Sequence, residues 1–345
     1  AVESDSAHVA GYLNLGLILT AQLRFAESEA ALRKARELSP DDPAVLTALG
    51  MAMMRQRRYE DALAVLRRAL ELQPKSAVAH LNVGLALADL SLKEEAVEEF
   101  EEALRLSPKL AEADYNLGRA LYELRRFEEA RASLERATLL RSDYAPALMM
   151  LGMAESSLGR PDKAVELLQR SLALGWSDTT AHYKLGKALI GVGRENDGVD
   201  HLKKAVELDP ANSQAVYALM RVMSARNPTE AKQYAQQLRE LKAESLASAR
   251  SRALSNFALG AASEENWPKA INQLREAIEV CGECSVRALL HKNLGLIMAQ
   301  SADNAGAVAE LAIAHELDPE DRDIEYALEL LRKRIPLNRL TIREK

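Results

Sequence analysis

A leucine or valine followed by glycine recurs at one fixed interval along this chain: Leu15-Gly16, Leu49-Gly50, Val83-Gly84, Leu117-Gly118, Leu151-Gly152 and Leu185-Gly186. Successive glycines lie 34 residues apart, as in 50 − 16 and 186 − 152. A strict period of that length confines the chain to a repeat array, in which each unit buries its apolar face on its neighbours. Alanines keep the same period. Ala62, Ala96, Ala130 and Ala164 follow their glycine by 12 residues, and Ala35, Ala69, Ala103 and Ala137 by 19. Small residues at these places let two helices approach closely. Pro40, Pro74, Pro108 and Pro210 stand 24 after the glycine, where proline ends a helix. Each unit is therefore two helices and two turns, and a chain with 48% hydrophobic but only 4% aromatic residues has the composition for helix.

The fullest copy, TALGMAMMRQRRYEDALAVLRRALELQP, and its companions resemble the tetratricopeptide repeat, whose signature places Leu-Gly, an aromatic, Ala and Pro within 34 residues. The resemblance covers nearly the whole chain. It implies an all-α fold, a right-handed superhelical solenoid of about nine helical hairpins with a concave groove lined by the first helix of each. Units start at Val9, Pro43, Ala77, Ala111, Ala145 and Thr179, with degenerate copies at Ser213, Ser251 and Ala288. The expected organisation is a lead-in at 1–8, six regular units over 9–212, three degenerate units over 213–321, a capping helix at 322–335 and a C-terminal arm at 336–345. The seventh unit has Met220 in place of the glycine, and its second helix is expected to extend through LRELKAESLASAR; the eighth has Ala258. In the cap, Ile324, Ala327, Leu328 and Leu331 form one apolar stripe.

In this family a partner protein or peptide lies along the concave face, presented by positions 2, 5, 6, 9, 12 and 13 of each unit. Position 6 holds Asn14, Asn82, Asn116, Asn256 and Asn293. A ladder of amides, each donating and accepting, suits an extended peptide backbone. Positions 5 and 9 carry Tyr115 and Arg119, Tyr183 and Lys187, and Tyr217 and Arg221, a tyrosine with a cation one turn away three times over. Those pairs are expected to form a basic, aromatic patch for acidic or aromatic segments. Elsewhere the face is apolar, with Leu13, Leu17, Met51, Met54, Leu81, Leu85, Met149, Met150 and Met153. As a continuous run, it reads as an interface. The carboxylate clamp of the family's cochaperones has no counterpart, since positions 5 and 9 of the first units read Leu13 and Leu17, Thr47 and Met51, and Leu81 and Leu85.

With 45 basic and 51 acidic residues, the net charge of −6 argues against nucleic acid as a partner. No apolar run is long enough to cross a bilayer. No HExxH arrangement or glycine-rich phosphate loop is present, so no enzymatic activity and no cofactor are expected. His80, His182 and His291 share position 4, which points to helix packing. The only cysteines, Cys281 and Cys284, form CGEC in a turn enlarged by three residues, 18 separating Ala277 from Gly295 where 15 is the rule. The pair is expected to be plain loop or a local disulfide; redox chemistry would want a preceding strand, and zinc would want four ligands. The opening AVESDSAH fits either a trimmed domain or a mature end after signal-peptide removal, extracytoplasmic in the second case and cytoplasmic otherwise. Its first helix is apolar almost all round, so a second expectation is head-to-tail self-association through that helix into an oligomer or filament.

Overall fold

The computed structural model describes residues 2–333, with side chains from residue 8. All regular structure among the described residues is helical. Six hairpins come first: α1 (Val2–Ala21) with α2 (Phe25–Leu38), α3 (Pro43–Arg55) with α4 (Tyr59–Leu72), α5 (Ala77–Asp89) with α6 (Lys93–Leu106), α7 (Ala111–Glu123) with α8 (Phe127–Leu140), α9 (Ala145–Ser157) with α10 (Pro161–Ala173), and α11 (Thr179–Gly191) with α12 (Glu195–Leu208). Then come α13 (Ser213–Arg226), α14 (Pro228–Ser263), α15 (Trp267–Cys281), α16 (Arg287–Gln300), α17 (Asn304–Leu317) and α18 (Arg322–Arg332). Residues up to Ala215 form one compact unit and those from Val216 onward a second, the boundary falling within α13.

Within unit 1, each hairpin closes on its own small residues and the second helices from α2 to α10 also pack on the next first helix, α2 on α3 and α6 on α7. The period-34 glycine marks the contact inside the hairpin. Gly84 faces Phe100 and Gly118 faces Leu134, both large side chains fully buried from the second helix. The signature alanines Ala62, Ala96, Ala130 and Ala164 have no exposed surface, so the backbones meet there. Several first helices start on a capping side chain: Asp42 accepts from the Ala44 and Val45 amides, Ser76 from Ala79 and Asp178 from Ala181. Such caps satisfy amides that have no partner within the helix. The turn inside each hairpin passes through one left-handed residue, with φ of 61° at Arg57 and 63° at Arg125, and glycine at Gly159 and Gly193.

Unit 2 departs from the expected pattern in α14. Separate helices were expected for the seventh unit's second helix and the eighth unit's first, at Ser251; instead a single helix of 36 residues serves as both. No glycine or proline lies between Pro228 and Gly260, so nothing breaks the helix where other units turn. The eighth and ninth hairpins, α14 with α15 and α16 with α17, share one core. The cap is present as α18, with Ile324, Ala327, Leu328 and Leu331 buried against that core. The lead-in is helical from Val2 and continuous with α1. The expected arm at 336–345 lies outside the described residues.

Candidate functional site

In unit 1 the first helices of three successive hairpins, α3, α5 and α7, border a cleft of about 550 Å³. One wall is apolar, with Met51 and Met54 from α3 and Leu85 from α5. The other is aromatic: Tyr115 and Tyr144 pack with ring centroids 5.1 Å apart at 47°. Behind them the Arg141 guanidinium lies 3.4 Å from the Tyr144 ring centroid, a cation stacked on a π face. Burial raises both tyrosine hydroxyls above the ordinary phenol pKa, against the opposing pull of Arg119 on Tyr115 and of Arg141 on Tyr144. The rim is charged with both signs, Arg55, Arg57 and Arg119 facing Asp89 and Glu112.

Between the walls stand two of the five predicted asparagines. Asn116 is buried and its Nδ2 donates to the Glu112 carbonyl at 2.8 Å, one helical turn back. Asn82 is 5% exposed and lines the cleft, and its Nδ2 has no hydrogen-bond partner among the described residues. A buried donor left unmatched costs about 1–3 kcal/mol. Asn14 and Asn256 are exposed on α1 and α14, while Asn293 is 2% exposed and its Nδ2 lies 3.3 Å from the Ser255 hydroxyl.

The three tyrosine–cation pairs differ in their surroundings. Tyr115 and Arg119 belong to the cleft. Tyr183 has two lysines at equal range, Lys184 and Lys187, each Nζ 5.6 Å from the ring centroid. Burial first, and then the Lys187 charge, lowers the Lys184 pKa. Tyr217 and Arg221 are exposed on the part of α13 that belongs to unit 2. The expected apolar run is interrupted as well. Met51 is exposed and Met153 half-buried, but Leu81, Met149 and Met150 are buried. Met149 is buried in the core with Leu134, Leu151 and Leu168, and the Trp176 indole N–H lies 3.1 Å from its thioether sulfur.

Tyr144, Tyr59 and Arg57 are the site residues that the groove positions miss. Tyr144 occupies position 34, the helix-capping place held by Asp42, Ser76 and Asp178, yet α9 starts without a side-chain cap. Leu110 stands uncapped at the same position before α7 and lines no part of the cleft, so the missing cap does not single out Tyr144.

Cys281 and Cys284 form a disulfide, both buried in the core of unit 2 at the turn after α15. Among the described residues no group of three or more His, Cys, Asp or Glu is placed to hold a metal ion, and no helix is long and apolar enough to cross a membrane. On α1, Leu15 is 45% and Ile18 55% exposed. At the far end of unit 2, α18 already covers α17 and presents Glu325, Tyr326 and Glu329 outward.

Family models described as tetratricopeptide repeat match residues 47–111 and 115–179, and a further one matches 179–212. The chain is a tetratricopeptide-repeat protein. Among solved structures it is similar to PilF of Pseudomonas aeruginosa, at 17% identity and a TM-score of 0.57 over 61% of this chain and 96% of that one. It is similar to the same degree to PilW, described as a widely conserved type IV pilus biogenesis factor, at 17% identity and a TM-score of 0.56 over 61% and 98%. YrrB, described as a TPR protein with an unusual peptide-binding site, aligns at 26% identity and a TM-score of 0.46 over 55% and 97%. No curated protein sequence matches the chain.

Proposed function

We propose that this protein is a non-enzymatic scaffold that holds an extended segment of a partner protein in the cleft bordered by α3, α5 and α7. The observation that carries the reading is Asn82, a buried amide donor without a partner on the wall of an open cleft. A backbone carbonyl of an extended peptide would satisfy it once the side chains that seal Nδ2 from solvent move aside. Backbone bonding of this kind gives affinity with little demand on sequence, and the flanking walls supply the selectivity. One apolar side chain fits among Met51, Met54 and Leu85, and Tyr115 offers a face for an aromatic or acidic neighbour within reach of Arg119. The adaptable thioethers suit more than one partner side chain.

The test starts from extended peptides selected on the protein from a random library, with affinity followed by fluorescence anisotropy. Asn82→Ala and Tyr115→Ala are each expected to weaken binding by about tenfold or more, roughly 1.4 kcal/mol, with helicity retained. Arg119→Glu should select against acidic peptides specifically. Affinities that stay within twofold for all three variants would remove the cleft from the account.

A second reading, self-association through α1, is favoured by the exposure of Leu15 and Ile18. Its expected outcome is that Leu15→Glu disperses any large assembly; particles of unchanged size would refute it.

A further inference from the structure

Positions 3, 7 and 10 of a unit's first helix form the seat of the preceding second helix. In the hairpins that begin at Pro43, Ala77, Ala111, Ala145 and Thr179 all three are buried, as Ala113, Leu117 and Ala120 show, and the same holds for Leu290, Leu294 and Ile297 on α16. On α14 these positions are Ala253, Phe257 and Gly260. All are exposed, Phe257 to 67%, and a Cβ added at Gly260 would meet nothing within 4 Å. Helix continuity is the cause. The segment that would have folded back over Phe257 runs straight into it within one helix, and that segment holds no residue that would let it turn. Among the described residues nothing covers this face.

The uncovered face has a symmetry of its own. Its line runs Lys242, Leu246, Ala249, Ala253, Phe257, Gly260 and Glu264, every residue exposed, with spacings of 4, 3, 4, 4, 3 and 4 that read alike from either end. At 3.6 residues per turn these positions stay within about 40° of one stripe, just over three heptads and about 33 Å long. Laid antiparallel on a second α14 about a twofold axis at Ala253, residues whose numbers sum to 506, twice 253, stand opposite each other. Phe257 then meets Ala249, Leu246 meets Gly260, and Lys242 meets Glu264. Every large side chain faces a small one and the terminal charges are opposite, each match occurring twice. A partner with an unrelated sequence would have no reason to show this complementarity.

We propose that the protein pairs with a second copy of itself through α14, in an isologous antiparallel seam centred on Ala253. The seam is separate from the cleft of unit 1 and from the exposed face of α1.

Light scattering over a concentration series on the full chain is expected to show a species of twice 37.9 kDa. Phe257→Glu should raise the dimer dissociation constant by about 100-fold or more with helicity unchanged, since each copy contributes the substitution once. Glu264→Lys should weaken the dimer and Lys242→Glu in the same chain should restore it. The register has its own test. Ala253→Cys should give a disulfide-linked dimer on mild oxidation, because the axis sets residue 253 against itself, whereas Ala249→Cys should not. A native chain that stays at 37.9 kDa throughout, a dimer unaffected by Phe257→Glu, dispersal by Leu15→Glu instead, or equal cross-linking at 249 and 253 would each overturn the proposal.

Discussion

Gly118 shows what a single position does in each of the six regular units. A Cβ there would lie 2.5 Å from Leu134 Cγ and 3.1 Å from the Ala130 carbonyl oxygen, so both a fully buried side chain and a backbone atom would have to move. Gly118→Ala is predicted to destabilise unit 1 by about 1–3 kcal/mol from overpacking, in spite of alanine's better helix propensity. Gly11, with nothing within 4 Å, is the control: Gly11→Ala should gain up to about 1 kcal/mol. Urea denaturation of both variants reads the contrast, and equal shifts would contradict the close-approach account. This role for glycine was legible in the sequence because the spacing repeats. The depth of the asparagines was not. Position 6 places an amide on the groove side of a first helix, but whether it stays open depends on what the neighbours bring: Glu112 at Asn116, Ser255 at Asn293. Tyr144 was missed because its contribution comes from a loop position outside the helical periodicity.

Pairs of helices carry a second regularity, between position 4 of the first helix and position 23 of the second. His80 Nδ1 lies 2.6 Å from Glu99 and His291 Nδ1 2.6 Å from Glu310, whereas the sixth hairpin sets His182 against His201, Nδ1 to Nδ1 at 2.9 Å. Two imidazoles at that distance share one proton between them, and a second proton would be repelled. Both pKa values are lowered. For His182 the causes are burial, then His201 and Lys204, with Asp178 opposing; for His201 they are burial, with Asp197 and Asp200 opposing and Arg194 assisting. A lowered histidine pKa means that the unfolded chain binds more protons, so this stability is present above about pH 6.5 and is lost as pH falls through the folded values. Thermal unfolding from about pH 7.5 to 5.5 should therefore show a loss for the native chain that His201→Glu, which restores the histidine–carboxylate pairing, reduces. Identical pH slopes would count against it. At this scale the hairpins were readable from the period, and the fusion of two helices into α14 was only half readable. The extension through LRELKAESLASAR was expected, and the interval of 38 between Ser213 and Ser251 records four residues beyond the usual 34. What the periodicity concealed is that an added helical turn without a breaker preserves the helix instead of lengthening the loop.

For the whole molecule, the division into two compact units follows from the same interruption of the array, since the regular hairpins stop where α13 begins. Unit 1 contains the cleft, and unit 2 contains the disulfide, the capped end and the exposed stripe of α14. The sequence was sufficient for the class of fold because a period of 34 is a global property. It was not sufficient to tell which of the register-equivalent tyrosines lines the cleft, as Tyr115 does, because equal register does not imply equal surroundings. The central claim is that a partner segment lies on the first helices of unit 1. Hydrogen exchange with and without a library-selected peptide tests it most directly. Protection is predicted in α3, α5 and α7, with α4, α6 and α8 changing far less; protection confined to the second helices, or to α1, would contradict it.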